Sequence, residues 1–482
     1  MLMLKTSIKQ ISRHHCRVPL TIFFFIACIG LGLLTVHLNA AATSVYTASS
    51  CQKQPELRLG SRGTCVKVLQ TALNNWSVRE KLTADGIFGQ RTLELVKSFQ
   101  QNNSDLTISG KVGTKTWDYL KNYANGVSIY PLSDITSTPF KATRKVCYRL
   151  PAITKDAEGN IYVFAEKRHG DGKLFCSDYG DIEIVMRKLS ISGIWSSEIV
   201  VADNGKNRLS NPVPIFNSSL NKLFLIYTYK DSSSSANGIY LKTSSDGGRT
   251  WKTETVNGNT DGFIMRGVGQ SGPGHGMVIA TGLHKGRMVV ANWHGGMYSD
   301  DGGQTWIRGY KVSNVNEGTV AEIKPDILLA CHRVNENITS NNEHLCGFST
   351  NGGETISKLN ADEYNVPKST KVQASLLALE GKYKGYVLYS LPSSKTTRKA
   401  MSIYAAKVSD TTTSISWQDK QWFKVTNSKT YAAYSDMLQT SDDTVAIVYE
   451  TGKDDYREKI VFGKYSTDLI IKASGFLGPS SL

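Results

Sequence analysis

The first 42 residues contain no aspartate or glutamate, so Lys5, Lys9, Arg13 and Arg17 stand unopposed ahead of an uncharged run from Val18 to Leu38. Proline is scarce, at 12 residues against 42 glycines and 22 tyrosines, which argues against a helical protein and for strands joined by tight turns. None of the eight cysteines forms a CxxC pair or a Cys/His cluster with zinc spacing, so no structural metal is expected. No run of lysine and arginine is interleaved with aromatic residues, which removes the usual ground for a nucleic-acid interface. The formal charge is nevertheless +15, of which the four N-terminal cations supply four. A surface with that excess favours anionic partners such as cell-wall polymers or acidic glycans.

The basic flank, an apolar run of roughly 20 residues and the small residues Asn39-Ala40-Ala41-Ala42 read as an export signal over residues 1–42. It is either cleaved after the alanines or kept as a membrane tether through residues 18–38, with the basic flank cytoplasmic. Either outcome exports the protein, so that it is secreted, periplasmic, or associated with the cell wall or membrane. Export permits disulfides, and the local pairings expected are Cys51 with Cys65 and Cys331 with Cys346. The 482 residues suggest two or three folded units.

Residues 51–122 carry helical spacing at Val66, Leu69 and Leu73, and again in the segment TLELVKSFQ. Two turns echo each other: DGIFGQRT (Asp85 to Thr92) and SGKVGTKT (Ser109 to Thr116). In each, glycine supplies the positive φ of a tight turn and threonine stands where a helix would begin. With the Leu69-Gln70 and Phe99-Gln100 pairs and Thr116-Trp117, this resembles the peptidoglycan-binding domain type 1 family. The resemblance implies a small three-helix domain with peptidoglycan as its partner. Residues 123–140, with Pro131, Pro139 and a Ser/Thr-rich stretch, read as a linker.

From residue 141 to 482 the chain changes to short apolar runs such as IYVFAE, KLFLIYTY and TVAIVYE, separated by turn residues. Ser244 to Trp251 and Ser299 to Trp306 both fit S-x-D-x-G-x-T-W; Ser349 to Ile356 is a worn copy, and fainter ones end at Trp195 and Trp417. A recurrence every 50 to 61 residues, with several strands per unit, is what a β-propeller blade requires. These turns resemble the Asp boxes of the sialidase superfamily. The fold expected is therefore all-β, a six-bladed propeller behind a small N-terminal helical domain.

The same stretch is similar, in order, to the site motifs of bacterial exo-α-sialidases. Removing a sialic acid needs cations for a carboxylate on the anomeric carbon, an acid for the leaving oxygen, and a nucleophile that the substrate's charge does not repel. Guanidinium suits the first task through bidentate bonds, and tyrosine, neutral until a base takes its proton, suits the last. The resemblance implies Arg149 (in CYRLP), Arg333 and Arg398 as the carboxylate clamp, and Arg168 (in FAEKRHG) as a pocket arginine. It further implies Asp178 as acid/base, with Asp171 and Asp181 as competing choices. Glu317 (in NEGTV) would activate the nucleophile Tyr434 (in AAYSDM), and Glu450 (in VYE) would orient Arg149. NPVPIF and SGPGHGM are expected to shape the pocket, and Cys331-His332 to alter its wall. Together these imply a retaining exo-α-sialidase acting on sialylated glycans through a tyrosyl-enzyme intermediate, with no cofactor. Two other readings stand beside it. The substrate could be a related 2-keto-3-deoxy sugar acid (Kdn, Kdo or another nonulosonic acid), because the clamp reads a carboxylate common to all. Alternatively, the chain could be a non-catalytic glycan-binding propeller anchored to the cell wall.

Overall fold

The computed structural model describes residues 55–76, 82–101, 106–117, 120, 137–170, 175–231, 238–337, 343–411, 413–418 and 421–476. The export segment, Cys51 and Asp171 lie outside them. Among the described residues no helix is long and apolar enough to cross a membrane.

The N-terminal helices are α1 (Thr64–Trp76) and α2 (Gln90–Gln101), with helical backbone again at 114–117 and 120. Val66, Leu69, Leu73, Val96, Phe99 and Leu120 are buried in one apolar cluster. The two echoing turns have a common physical basis. Each is plugged by the buried glutamine that ends an apolar-Gln pair. The Gln70 side chain accepts from Gly86 N at 2.8 Å and donates to Ile87 O at 3.0 Å. Gln100 accepts from Gly110 N at 2.8 Å and donates to Lys111 O at 2.7 Å. Gly86 and Gly110 carry φ of 80° and 70°, conformations that favour glycine. Helix α2 begins at Gln90, two residues ahead of Thr92.

The rest of the described chain is all-β with few helices. Its first strand, β1 (Ser137–Lys141), falls inside the segment expected to be linker and pairs at the edge of a sheet with a strand near the C-terminus. An edge strand tolerates Pro139 because it can leave one ladder donor unmade. The following strands are β2 (Val146–Lys155), β3 (Ile161–His169), β4 (Ile182–Leu189), β5 (Ile199–Ala202), β6 (Arg208–Asn217), β7 (Lys222–Lys230), β8 (Gly238–Ser244), β9 (Lys252–Thr253) and β10 (Phe263–Met265). These form one sheet, in which the antiparallel groups β2–β5 and β6–β10 are joined by a single parallel pair, Ile182 with Arg208. Next come a sheet of β11 (Met277–Val278), β12 (Met288–Asn292), β13 (Gly295–Ser299) and β14 (Ile307–Lys311), and one of β15 (Val315–Lys324), β16 (Ile327–Val334) and β17 (His344–Ser349). A further sheet holds β18 (Ser375–Ala378), β19 (Tyr386–Pro392), β20 (Met401–Val408), β21 (Ile415–Trp417) and β22 (Phe423–Lys424). The last holds β23 (Tyr431–Ser441), β24 (Thr444–Gly452), β25 (Lys459–Ser466) and β1, followed by helix α3 (Thr467–Ala473).

The core lies between successive groups. Phe164 and Met186 of the first group pack with Leu223 and Leu225 of the second, and Val213 and Phe224 of the second pack with Met288 and Val290 of the third. Val448 and Phe462 of the last group pack back on Ile153 and Val163 of the first. The repeated turns serve this arrangement. In Ser244–Trp251 the Asp246 carboxylate accepts from Thr250 N at 3.0 Å and Thr250 Oγ1 at 2.5 Å, while Ser244 Oγ accepts from Gly248 N at 2.9 Å. Asp301 and Ser299 repeat the pattern. In the worn copy Asn351 accepts from Thr355 N and donates to Thr355 Oγ1, each at 3.0 Å. Trp251 packs edge-on to Phe164 of the neighbouring group, with ring centroids 5.8 Å apart.

Two disulfides join described cysteines. Cys331 and Cys346 are directly opposed on β16 and β17, as expected. The second, Cys147–Cys176, was not anticipated and links β2 to the turn before β4. The expected Cys51–Cys65 pairing involves a residue outside the described ones.

Candidate active site

Four strands share an irregularity. The ladder slips between Arg149 and Ala152 on β2, Ser210 and Val213 on β6, Val315 and Gly318 on β15, and Ala432 and Ser435 on β23. A bulge bends a strand and re-aims a side chain. Here the bulges coincide with Arg149, Asn211, Glu317 and Tyr434, all of which line one cavity of about 910 Å³. Leu150 and Asn211 take φ of 53° and 57° within them. For leucine that backbone costs about 1–3 kcal/mol, and it is held by a bond from Leu150 N to Glu450 Oε1 at 2.9 Å.

Tyr434 stands at the centre. Its hydroxyl donates to Glu317 Oε1 at 2.7 Å and accepts from Arg333 Nη1 at 3.3 Å. The same Arg333 nitrogen donates to Glu317 Oε2 at 2.8 Å, and Nη2 contacts Glu336. The guanidinium carbons of Arg149 and Arg398 lie 5.4 and 5.5 Å from the Tyr434 ring centroid. Arg149 Nε donates to Glu450 Oε1 at 2.6 Å, and Glu450 is fully buried. Arg398 donates to Tyr456 OH at 3.2 Å and Lys371 O at 3.1 Å, and it has no carboxylate partner among the described residues. Residues 398 and 434, far apart in sequence, meet because Ala432 N donates to Arg398 O at 2.9 Å. Burial pushes the Tyr434 phenol well above its ordinary pKa, with Glu317 adding to the shift and Arg333, Arg398 and Arg149 opposing it. The free site therefore holds a neutral phenol beside a base and three cations.

Arg168 organises the opposite wall. Buried on β3, it donates to Glu166 at 2.7 Å and to the carbonyls of Cys176 and Ser177 at 3.2 and 3.3 Å. It also pairs with Asp178 Oδ1 at 2.5 Å. Asp178 is exposed and lines the cavity. Desolvation by the surrounding cavity wall favours the neutral acid, but Arg168, Arg149 and Arg208 hold the carboxyl below the usual carboxylate range. Asp181 is not among the cavity residues. The Cys147–Cys176 disulfide and the grip of Arg168 fix the turn carrying Asp178 against β2, two residues along from Arg149.

Two expectations are corrected. SGPGHGM does not line the cavity; the preceding Gln270 does. Ser271 Oγ instead donates to Asn211 O at 2.9 Å beneath the wall, and His275 pairs with buried Asp436 at 2.7 Å. Cys331 and His332 also stay off the wall. Cys331 is in a disulfide, and His332, pushed down to about 4 by burial, hydrogen-bonds Tyr310 OH at 3.1 Å. Strand alternation explains this for His332, which faces away from the side that Arg333 presents, whereas Cys331, on the same face as Arg333 but further along the strand, is buried in the core between sheets. Several lining residues carried no motif: Tyr456, under both Arg149 and Arg398 at 5.2 Å, Trp293, Glu336, Arg208 and Lys230. Among the described residues no group of three or more His, Cys, Asp or Glu could hold a metal ion.

An all-β chain with a bulge-built, arginine-lined cavity defines the class. The family model for the BNR repeat-like domain matches residues 177–447, and the chain belongs to that family. Residues 62–120 match the family model for a peptidoglycan binding domain. The chain is similar to an exo-alpha-sialidase of Arthroderma benhamiae, 27% identical over 36% of this chain and 48% of that protein, about half its length. It is also similar to an exo-alpha-sialidase of Aspergillus fumigatus, 22% identical over 67% of this chain and 85% of that one. Among solved structures, the intramolecular trans-sialidase of Ruminococcus gnavus shares the fold, with a TM-score of 0.55 and 17% identity over 70% of this chain and 98% of that one.

Proposed function

We propose that this protein is a retaining exo-α-sialidase, a glycoside hydrolase that removes terminal sialic acids from glycoconjugates. The observation that carries the proposal is the convergence of Arg149, Arg333 and Arg398 on Tyr434, whose hydroxyl donates to Glu317. Arg398, the clamp arginine without a carboxylate partner among the described residues, takes the substrate carboxylate together with Arg149 and Arg333. Tyr434 attacks the anomeric carbon as Glu317 accepts its proton. Asp178 protonates the leaving oxygen and then, as base, activates water against the tyrosyl intermediate. Substrate entry must separate Asp178 from Arg168, because the ion pair keeps the carboxyl ionised. The β-groups make up a six-bladed propeller, a reading supported by six antiparallel groups whose cores join consecutive groups and the last to the first. Export through residues 1–42 and attachment to peptidoglycan through residues 51–122 complete the reading.

The test is fluorophore release from a panel of α-ketosidically linked sugar acids, with the product anomer followed by NMR. Turnover of the sialic acid conjugate with an α product first, and loss of most of it in Tyr434→Phe and Asp178→Ala, is the expected result. Turnover confined to Kdn or Kdo conjugates would move the substrate class. No turnover of any member would favour a binding propeller.

A further inference from the structure

Eight basic residues line the cavity against four acidic ones. Arg149, Arg168, Arg333 and Arg457 each pair with a carboxylate, and Arg398 is taken by the substrate carboxylate in the reading above. Lys206, Arg208 and Lys230 are left, and among the described residues none of them forms an ion pair within the cavity or outside it.

Their placement is unfavourable for folding alone. Arg208 and Lys230 are directly opposed across β6 and β7, and like charges in that register destabilise a sheet. Lys230 is held below its ordinary pKa by burial and by the Arg208 charge. Asp231, next along the chain, accepts from Tyr229 OH at 3.1 Å. Arg208 donates to Gln270 Oε1 at 3.2 Å and stacks 5.6 Å from the exposed Tyr179 ring, which fixes the guanidinium without neutralising it. Its Nε is buried and has no acceptor among the described residues, and neither has the indole N–H of Trp293, over which Lys230 sits at 6.0 Å. The pair adjoins the acid, because Ile182, just after the Asp178 turn, bridges to Arg208. In the reading above Asp178 serves the scissile oxygen, and the charge of Arg208 already acts on that carboxyl, so these cations lie near the atom that bears the leaving sugar.

We propose that Arg208 and Lys230, with Lys206 at the edge, form a second anion-binding site that receives a carboxylate or sulfate on the sugar beyond the scissile bond. This rests on the sialidase reading and deepens it, since the preferred substrate would carry two negative charges.

The test compares kcat/KM of the full chain on three oligosaccharides. One is a sialyllactose with a neutral leaving group, the second a disialyl lactose whose leaving sugar is itself a sialic acid, and the third a sialyl lactosamine sulfated on the leaving sugar. At low salt a charged leaving sugar is expected to be favoured by about tenfold, the effect of one hydrogen bond to a charged group. The advantage should shrink at high ionic strength. Preference for the disialyl or the sulfated compound alone identifies which anion the site reads. Lys230→Gln should abolish the advantage, lowering kcat/KM on the charged compounds about tenfold more than on the neutral one, and its melting temperature should be no lower because a repulsion is removed. Equal kcat/KM on charged and neutral compounds, or an equal loss on all three in Lys230→Gln, overturns the second site while the sialidase reading stands. No turnover of any compound overturns the sialidase reading instead.

Discussion

At the scale of single residues, the proposed mechanism rests on two groups with opposite needs. In it Tyr434 stays a neutral phenol until attack, which its burial beside Glu317 favours. Asp178 would have to be protonated to act as the acid, yet Arg168 holds it below the usual carboxylate range against the opposing effect of desolvation. Because the carboxyl's folded value is low, its protonated fraction falls as pH rises through that value. We therefore expect kcat/KM on an unactivated oligosaccharide to decline from acidic pH toward neutrality, measured as a pH–rate profile of the free enzyme. Asp178→Asn should abolish that limb and lower turnover by roughly 10²–10⁴-fold. On an aryl sialoside whose phenol leaves without protonation, the first step should lose far less. An equal loss on both substrates would remove Asp178 from the role of acid.

At the scale of elements, bulges and one covalent link aim the site. Cys147 lies two residues before Arg149 and Cys176 two residues before Asp178, so the disulfide joins the strand of one proposed group to the turn of the other. Breaking it frees a turn that would then be held chiefly by Arg168, with Arg208 stacked on Tyr179. The double variant Cys147→Ser/Cys176→Ser is expected to lose roughly 2–4 kcal/mol of stability, read by denaturant titration. It should also lower kcat more than it raises KM, since two of the three proposed clamp residues, Arg333 on β16 and Arg398 between β19 and β20, are untouched. A variant that melts earlier but keeps full kcat would make the link purely structural. The Asp-box turns were legible because their bonds close within eight residues of sequence. The Cys147–Cys176 pairing was not, because it depends on β2 and the turn before β4 meeting across the sheet.

At the scale of the whole molecule, buried Asp436 ties distant segments together. It accepts from Ile153 N at 2.9 Å, Ser375 Oγ at 2.8 Å and His275 Nδ1 at 2.7 Å, joining β2, β18 and the segment after β10. Burial lowers the His275 pKa, but the Asp436 charge and hydrogen bond outweigh it and raise the folded value. The stabilisation is thus fully present below about pH 6.5 and is lost as pH rises through the raised value. His275→Gln should cost about 3–5 kcal/mol at low pH and flatten the dependence of melting temperature on pH; an unchanged slope would refute the linkage. The sequence alone determined the strand-rich architecture, the repeated turns, the buried pattern of the helices and the candidate residues Arg149, Arg333, Arg398, Glu317, Tyr434 and Asp178 that the cavity gathers, because these rest on local periodicity and on short motifs in chain order. Only the tertiary structure decided that Arg398 reaches Tyr434, that Asp178 is paired with Arg168, and that Arg208 and Lys230 face each other with no ion pair to a carboxylate among the described residues. Charge balance and reach depend on which strands lie side by side, and contacts between residues hundreds of positions apart leave no local trace.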